Sequence, residues 1–314
     1  MNCIRILLLA LVITIPARAC LNVQGTSIDG GSATGSGIFP ALPIRNAIKS
    51  SPEDRFNELS RNRDTKWDDE FTDRELEGVA NVFMGRYEQA IAIFEKIEAD
   101  RPGRYSTASN LGTAYELKGN LDLALKWIAE GIRRNPESHH GTEWLHLEII
   151  KTRIRLAGEP DYLTKNHIID LPETVSNHSP IKIDGQVRPA AVVREALKYQ
   201  LTERVYFVKP PDPVVSDLLY TYGVLEAHAS VVEAGIKLLE LSREYGNQNS
   251  KQLDQTIEHY QSLVLFRKIR FGGLIALGAL GVIVFLVFAY RKKWFFLTRS
   301  EYRKHQLAQQ QQFG

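Results

Sequence analysis

Residues 78–102, GVANVFMGRYEQAIAIFEKIEADRP, and residues 112–136, GTAYELKGNLDLALKWIAEGIRRNP, decide the fold. Laid over each other at an offset of 34 residues, Gly78 recurs as Gly112, Gly85 as Gly119, Ala90 as Ala124 and Pro102 as Pro136, while Phe94 is answered by Ile128. A fixed period of this size marks stacked helical units. Gly78 with Ala90, and Gly112 with Ala124, let two antiparallel helices touch, because larger side chains would hold the axes apart. Gly85 and Gly119 end the first helix of each pair and open the turn. Pro102 and Pro136 end the second, since proline cannot continue a helix.

These positions resemble the tetratricopeptide repeat family, which has small residues at the eighth and twentieth positions, an aromatic or apolar residue at the twenty-fourth and proline at the thirty-second. The match includes Asn110-Leu111-Gly112 with Tyr115, and Gly85-Arg86-Tyr87 with Ala90 and Phe94, and it covers repeats at 71–104 and 105–138. Trp at the fourth position is missing from both, and Glu77 and Asn81 stand where Leu and Tyr are usual. The resemblance implies an all-α solenoid of helical hairpins that binds a protein or peptide partner without a cofactor. It also implies a concave face made by the first helix of each repeat. By repeat register that face is lined by Glu75 and Val79, then Ser106, Ser109, Asn110 and Thr113, then Glu143. Asn110 matches the position where some members hold a peptide backbone, but their Lys and Arg clamp for a terminal carboxylate is absent.

Two repeats bury little surface alone, so further helices are expected to stack on them. Residues 139–157 begin where a third repeat should and carry Trp144, Leu147, Ile150 and Ile154 at helical spacing without the small residues, a degenerate unit. Residues 158–188 are rich in Pro, Asn, His and Asp and read as an irregular loop, long enough to suggest function. Helices resume over 189–266, with Val193, Leu197 and Leu201 spaced by four and a break at Lys209-Pro210-Pro211-Asp212-Pro213. Gly223 and Gly235 then stand as far apart as Gly112 and Ala124, with Leu239 at the aromatic position, giving a divergent unit at 216–246. A last stripe of Leu253, Ile257, Tyr260 and Val264 runs toward the apolar segment that follows. On the other flank, 20–66 reads as a flexible tether and charged lead-in to the repeats at 67–157.

Both ends carry membrane signals. Arg5, the mostly apolar run Ile6 to Ile15 and the small residues Ala17 and Ala19 make 1–19 a cleavable export signal, because a run of ten residues is too short to span a bilayer. The cut falls before Cys20. A cysteine at that place resembles the lipid-modified cysteine of bacterial lipoproteins, with Ala17 where that family usually has Leu and Arg18 out of pattern. Since the only other cysteine is Cys3, the mature chain can form neither an internal disulfide nor a cysteine-based zinc site. Residues 271–290, FGGLIALGALGVIVFLVFAY, contain no charge and suit one transmembrane helix. Arg291, Lys292, Lys293, Arg299, Arg303 and Lys304 follow it, against Arg267, Lys268 and Arg270 before it, so the tail 291–314 is expected to be cytoplasmic. The expected setting is a bacterial inner membrane with the repeats on the periplasmic side. Gly272, Ala276 and Ala279 share one face of the span and offer a site for helix pairing.

A net charge of +2 gives no concentrated basic surface for nucleic acid. His139, Glu143 and His146 form the one constellation that resembles a metal site, with His139 close enough to Pro136 to sit at a helix cap. A metal-dependent or otherwise catalytic domain using this cluster is one alternative to the binding scaffold. A purely structural envelope anchor is another. There is no G-x-S-x-G elbow, and Gly30-Gly31 and Gly35-Ser36-Gly37 lack the strand and helix that would make them a phosphate loop. The reading taken is a non-enzymatic scaffold with no catalytic residue and no metal ligand.

Overall fold

The computed structural model describes residues 23–35, 40–61, 70–292 and 298–311, so the export signal and Cys20 lie outside the described residues. The chain divides into two compact units, Asn22–Val264 and a second that contains Leu265–Gly314. It is mostly helical, as the sequence predicts.

In the first unit, the 34-residue recurrence becomes two helical hairpins. Helices α3 (Glu70–Phe83) and α4 (Tyr87–Asp100) form one, and α5 (Tyr105–Lys118) and α6 (Leu121–Arg134) the next. The glycines act as the spacing predicts. A Cβ on Gly112 would stand 2.5 Å from Ile128 Cδ1 and 2.9 Å from its backbone nitrogen, and one on Gly78 would stand 2.6 Å from Phe94 Cζ. Ala90, Phe94, Ala124 and Ile128 are fully buried at these crossings. Gly119 takes the left-handed conformation, φ 92°, at the end of α5. Helices α4 and α6 stop two residues before Pro102 and Pro136.

Helix α7 (Glu143–Gly158) continues the stack against α6, but no second helix follows directly. The stretch expected to be an irregular loop is ordered. It holds a 3-10 turn at Tyr162–Thr164 and a hairpin whose strands, Pro180–Ile183 and Gln186–Pro189, are joined by Asp184 and Gly185, both at positive φ. Ile181 and Ile183 alternate into the core with Ile169 and Leu163, and this burial orders the segment.

Chain then returns as α8 (Ala190–Arg204), whose Val193, Leu197 and Leu201 are fully buried. Helix α9 (Pro213–Ala229), capped by the Asp212 side chain on the Val215 amide, is buried on nearly every face and forms the centre of the unit. It pairs with α10 (Val232–Glu244) in the predicted divergent hairpin, where a Cβ on Gly223 would meet Leu239 Cγ at 2.9 Å. Ser216 and Ser242 donate to each other's carbonyls at 2.6 and 2.7 Å, so the buried hydroxyls of this crossing are satisfied.

The N-terminal flank is also more ordered than a tether. Strands Val23–Thr26 and Ser32–Gly35 pair antiparallel, and the Thr26 amide and hydroxyl both donate to Glu233 at 2.8 Å. Gly25 lies so close to Val231 that a Cβ would stand 2.6 Å from its side chain. Helix α1 (Ala41–Lys49) buries Ala41, Ile44 and Ala47 in the main core, and α2 (Pro52–Arg61) brings Phe56 to 6.2 Å from Phe83. Composition alone suggested a linker, but these segments make contacts far along the chain, Thr26 with Glu233 and Arg45 with Glu244.

Helix α11 (Ser250–Arg291) places Leu253, Ile257 and Tyr260 in the first unit and is long and apolar enough to cross a membrane. Gly272, Ala276 and Ala279 are exposed along it. Beyond it, the segment expected only as a basic tail contains α12 (Arg299–Gln310), opened by a capping box between Thr298 and Glu301.

Gly112→Ala should destabilise the first unit by about 1–3 kcal/mol, because the added methyl meets backbone that cannot rotate away. Gly158→Ala, with nothing within 4 Å, should be neutral or slightly stabilising. Urea denaturation monitored by far-UV circular dichroism checks both; equal midpoints for Gly112→Ala and the native chain would refute the close crossing.

Candidate functional site

The predicted concave face and the histidine cluster meet in one cavity of about 170 Å³ between α5, α7 and α8. Its floor is ionic. Glu116 of α5 is buried and accepts Arg204 Nη1 of α8 at 2.6 Å and Nη2 at 3.2 Å. The other side of the carboxylate meets His146 Nε2 at 2.7 Å, and Arg153 Nε lies 3.1 Å from Oε1. Arg153 also reaches Asp212 at 2.9 Å, which ties the floor to the cap of α9. Glu143 accepts from His139 Nδ1 and stands 3.5 Å from His146 Nδ1.

Position in the fold explains each charge state. Burial alone would raise the Glu116 carboxyl, but Arg204 and His146 hold it well below the usual carboxylate range. Glu143 is likewise pushed up by burial and brought down further by His139 and His146. Burial lowers His146, and the two glutamates outweigh it and raise the imidazole above its ordinary value. Both ring nitrogens of His146 therefore face carboxylates, an arrangement that favours the protonated imidazole. Burial first, then Glu203 and Glu143, pushes the Tyr199 phenol at the rim up to about 12.

The approach from α6 to α7 is strained. His139, His140 and Gly141 have φ of 49°, 60° and 68°, three successive left-handed residues of which only the glycine adopts that conformation freely. Both imidazoles pack on Tyr199, His139 stacked at 5.9 Å and His140 edge-on at 5.2 Å. His139 thus precedes α7 at its cap, and the helical face shared by His139, Glu143 and His146 is not formed by a continuous helix. Among the described residues no group of three or more His, Cys, Asp or Glu is arranged to hold a metal ion.

Seven residues were expected along an open concave face, and three of them are buried instead. Glu75 accepts Arg104 at 2.9 Å together with the hydroxyls of Ser106 and Thr107, cross-linking α3 to α5. Ser109 packs on Gly131 of α6 with its hydroxyl unpartnered. Glu143 belongs to the ionic floor. Val79, Ser106, Asn110 and Thr113 are half-buried, and Asn110 and Thr113 line the cavity. The reasons differ: Glu75 and Ser109 are covered by contacts of the two hairpins with each other and within themselves, while α8 and the residues after it line the cavity over Glu143, and Phe207 packs at a tilt on Phe83 at 4.7 Å.

Sequence reasoning missed Arg204, Glu116, Tyr199 and Gln200, which donates to the Thr142 hydroxyl at 3.1 Å. Glu116 and Arg204 are 88 residues apart, and no local pattern links them. A charged residue on the otherwise apolar stripe Val193, Leu197, Leu201, Arg204 was the available signal.

No protein-family model matches the chain, and no curated protein matches it significantly.

Arg204→Met should cost about 3–5 kcal/mol by leaving Glu116 buried without its main partner, while Glu116→Leu combined with Arg204→Met should recover much of that loss. A double-mutant cycle in urea measures the coupling, and additive losses would contradict it. His146 contributes fully below its unfolded value of 6.5 and loses its contribution as pH rises through the higher folded value. Glu116 and Glu143 contribute fully above 4.5 and lose theirs only as pH falls through their lowered values. Stability should therefore decline above pH 6.5, and His146→Gln should reduce that slope. The remaining slope belongs to His167, which Asp217 holds at 2.6 Å and raises in the same direction.

Proposed function

We propose that this chain is a membrane-anchored scaffold of tetratricopeptide-repeat type that docks a protein or peptide segment on the exported side of a bacterial inner membrane. The observation that carries this reading is the pair of successive hairpins in phase at 34 residues, with Gly78 against Phe94 and Gly112 against Ile128. Hairpins in phase repeat the same helix face, and in proteins of this type that face holds an extended partner.

The part of the face still open is the mouth of the cavity at Asn110 and Thr113, bordered by Tyr199 and Glu203. Amide, hydroxyl and phenol groups at such a rim suit a peptide backbone, and the cavity is the size of one or two side chains. The engaged state of His146 favours binding over acid–base chemistry there. Export follows from the signal at 1–19, and the orientation follows from the excess of Lys and Arg after the span. The exposed small residues Gly272, Ala276 and Ala279 give the span a face for pairing with another membrane helix.

Filling the mouth tests the proposal. Asn110→Arg with Thr113→Arg should abolish co-purification of the partner with the detergent-solubilised full chain while the far-UV circular dichroism stays native-like. Gln89→Arg, on the exposed side of α4, should retain it. Undiminished capture by the double variant would eliminate the cavity mouth as the docking site.

A further inference from the structure

The tail beyond the span carries six Lys or Arg residues against a single acid, Glu301. That acid is already engaged. Its Oε1 accepts the Tyr290 hydroxyl at 2.7 Å, and its Oε2 accepts the Thr298 amide at 3.3 Å within the capping box. Tyr290 is the last residue of the apolar segment, so this bond holds the first turn of α12 beside the end of the membrane-crossing stretch. One carboxylate in that position cannot neutralise six cations.

The faces of α12 are divided accordingly. At helical spacing Arg299, Arg303 and Leu307 follow one another by four, with Lys304 three residues before Leu307, so the cations and one apolar side chain share one side. Glu301 and His305 lie on the other. Arg299, Arg303, Lys304 and Leu307 are exposed, Leu307 at 59%. A helix that begins at the end of a span lies at headgroup depth, within a Debye length of about 8 Å of any lipid charge.

We propose that α12 is an electrostatic dock for anionic lipid, with Arg299, Arg303 and Lys304 on headgroup phosphates and Leu307 seated at the acyl boundary. The proposal rests on α11 crossing the membrane and is independent of the docking cavity. Such a contact would fix the rotation and depth of α11 and make the anchor sensitive to the composition of the leaflet.

Hydrogen–deuterium exchange of residues 299–310 tests it, with the full chain reconstituted in vesicles of phosphatidylcholine alone or mixed with phosphatidylglycerol. Exchange should be roughly tenfold slower in the anionic vesicles, and high salt should abolish the difference. Arg299→Gln with Arg303→Gln and Lys304→Gln should remove the protection, while Arg299→Lys with Arg303→Lys and Lys304→Arg should retain it. Both sets leave Thr298 and Glu301 intact, so the cap survives. Equal exchange in the two lipids, with the chain still resisting alkaline carbonate extraction, would overturn the lipid dock alone. Extraction by carbonate would overturn the span on which it rests. Protection by soluble polyglutamate but not by anionic vesicles would assign the surface to an acidic protein and also overturn the proposal.

Discussion

The Glu116–Arg204 pair is the constraint on which the arrangement of the first unit depends. It joins the second repeat to a helix that enters only after the 159–189 excursion, and it does so at a buried position where each charge needs the other. Removing either partner leaves a desolvated ion, whereas an apolar pair of similar volume could pack there without that cost. Its role is therefore better seen in specificity than in net stability. Of the many ways α8 could lie against the solenoid, the one adopted brings Arg204 to Glu116, whose carboxylate also meets His146 and lies 3.1 Å from Arg153 Nε.

That choice determines how much binding surface remains. Here Glu75 is consumed between repeats and Glu143 in the ionic floor, and the returning chain narrows the face to a mouth bordered by Asn110, Thr113, Tyr199 and Glu203. The left-handed run His139–Gly141 is part of the same constraint, because the chain must turn sharply between α6 and α7 for Glu143 and His146 to reach the floor. Backbone strain of that kind persists only where the surroundings hold it, and the packing of both histidines on Tyr199, one stacked and one edge-on, supplies such support.

The two β-hairpins show why composition misjudged the flanks. Residues 23–35 lack hydrophobic periodicity, and the short hairpin they form is held to the rest of the unit by Glu233, far along the chain, which takes both donors of Thr26. The second hairpin was more legible. Ile181 and Ile183 alternate and are followed by Asp184-Gly185, a pair that favours the positive φ of a tight turn, so its signal was present and was outweighed by the polar composition around it.

The sequence by itself determined the local elements: the helical hairpins, through glycines that meet Phe94 and Ile128; the helix ends, through Gly85, Gly119, Pro102 and Pro136; and a long apolar helix, through an uncharged run of sufficient length. Each depends on residues within one repeat or one turn, where spacing alone brings the atoms together. Only the tertiary structure decided that Glu116 finds Arg204, that the concave face is largely occupied by the chain itself, and that Glu301 ties α12 back to Tyr290. Those contacts depend on which distant segments share a core, and a buried charge or an exposed face acquires its role only when that packing sets what lies opposite it.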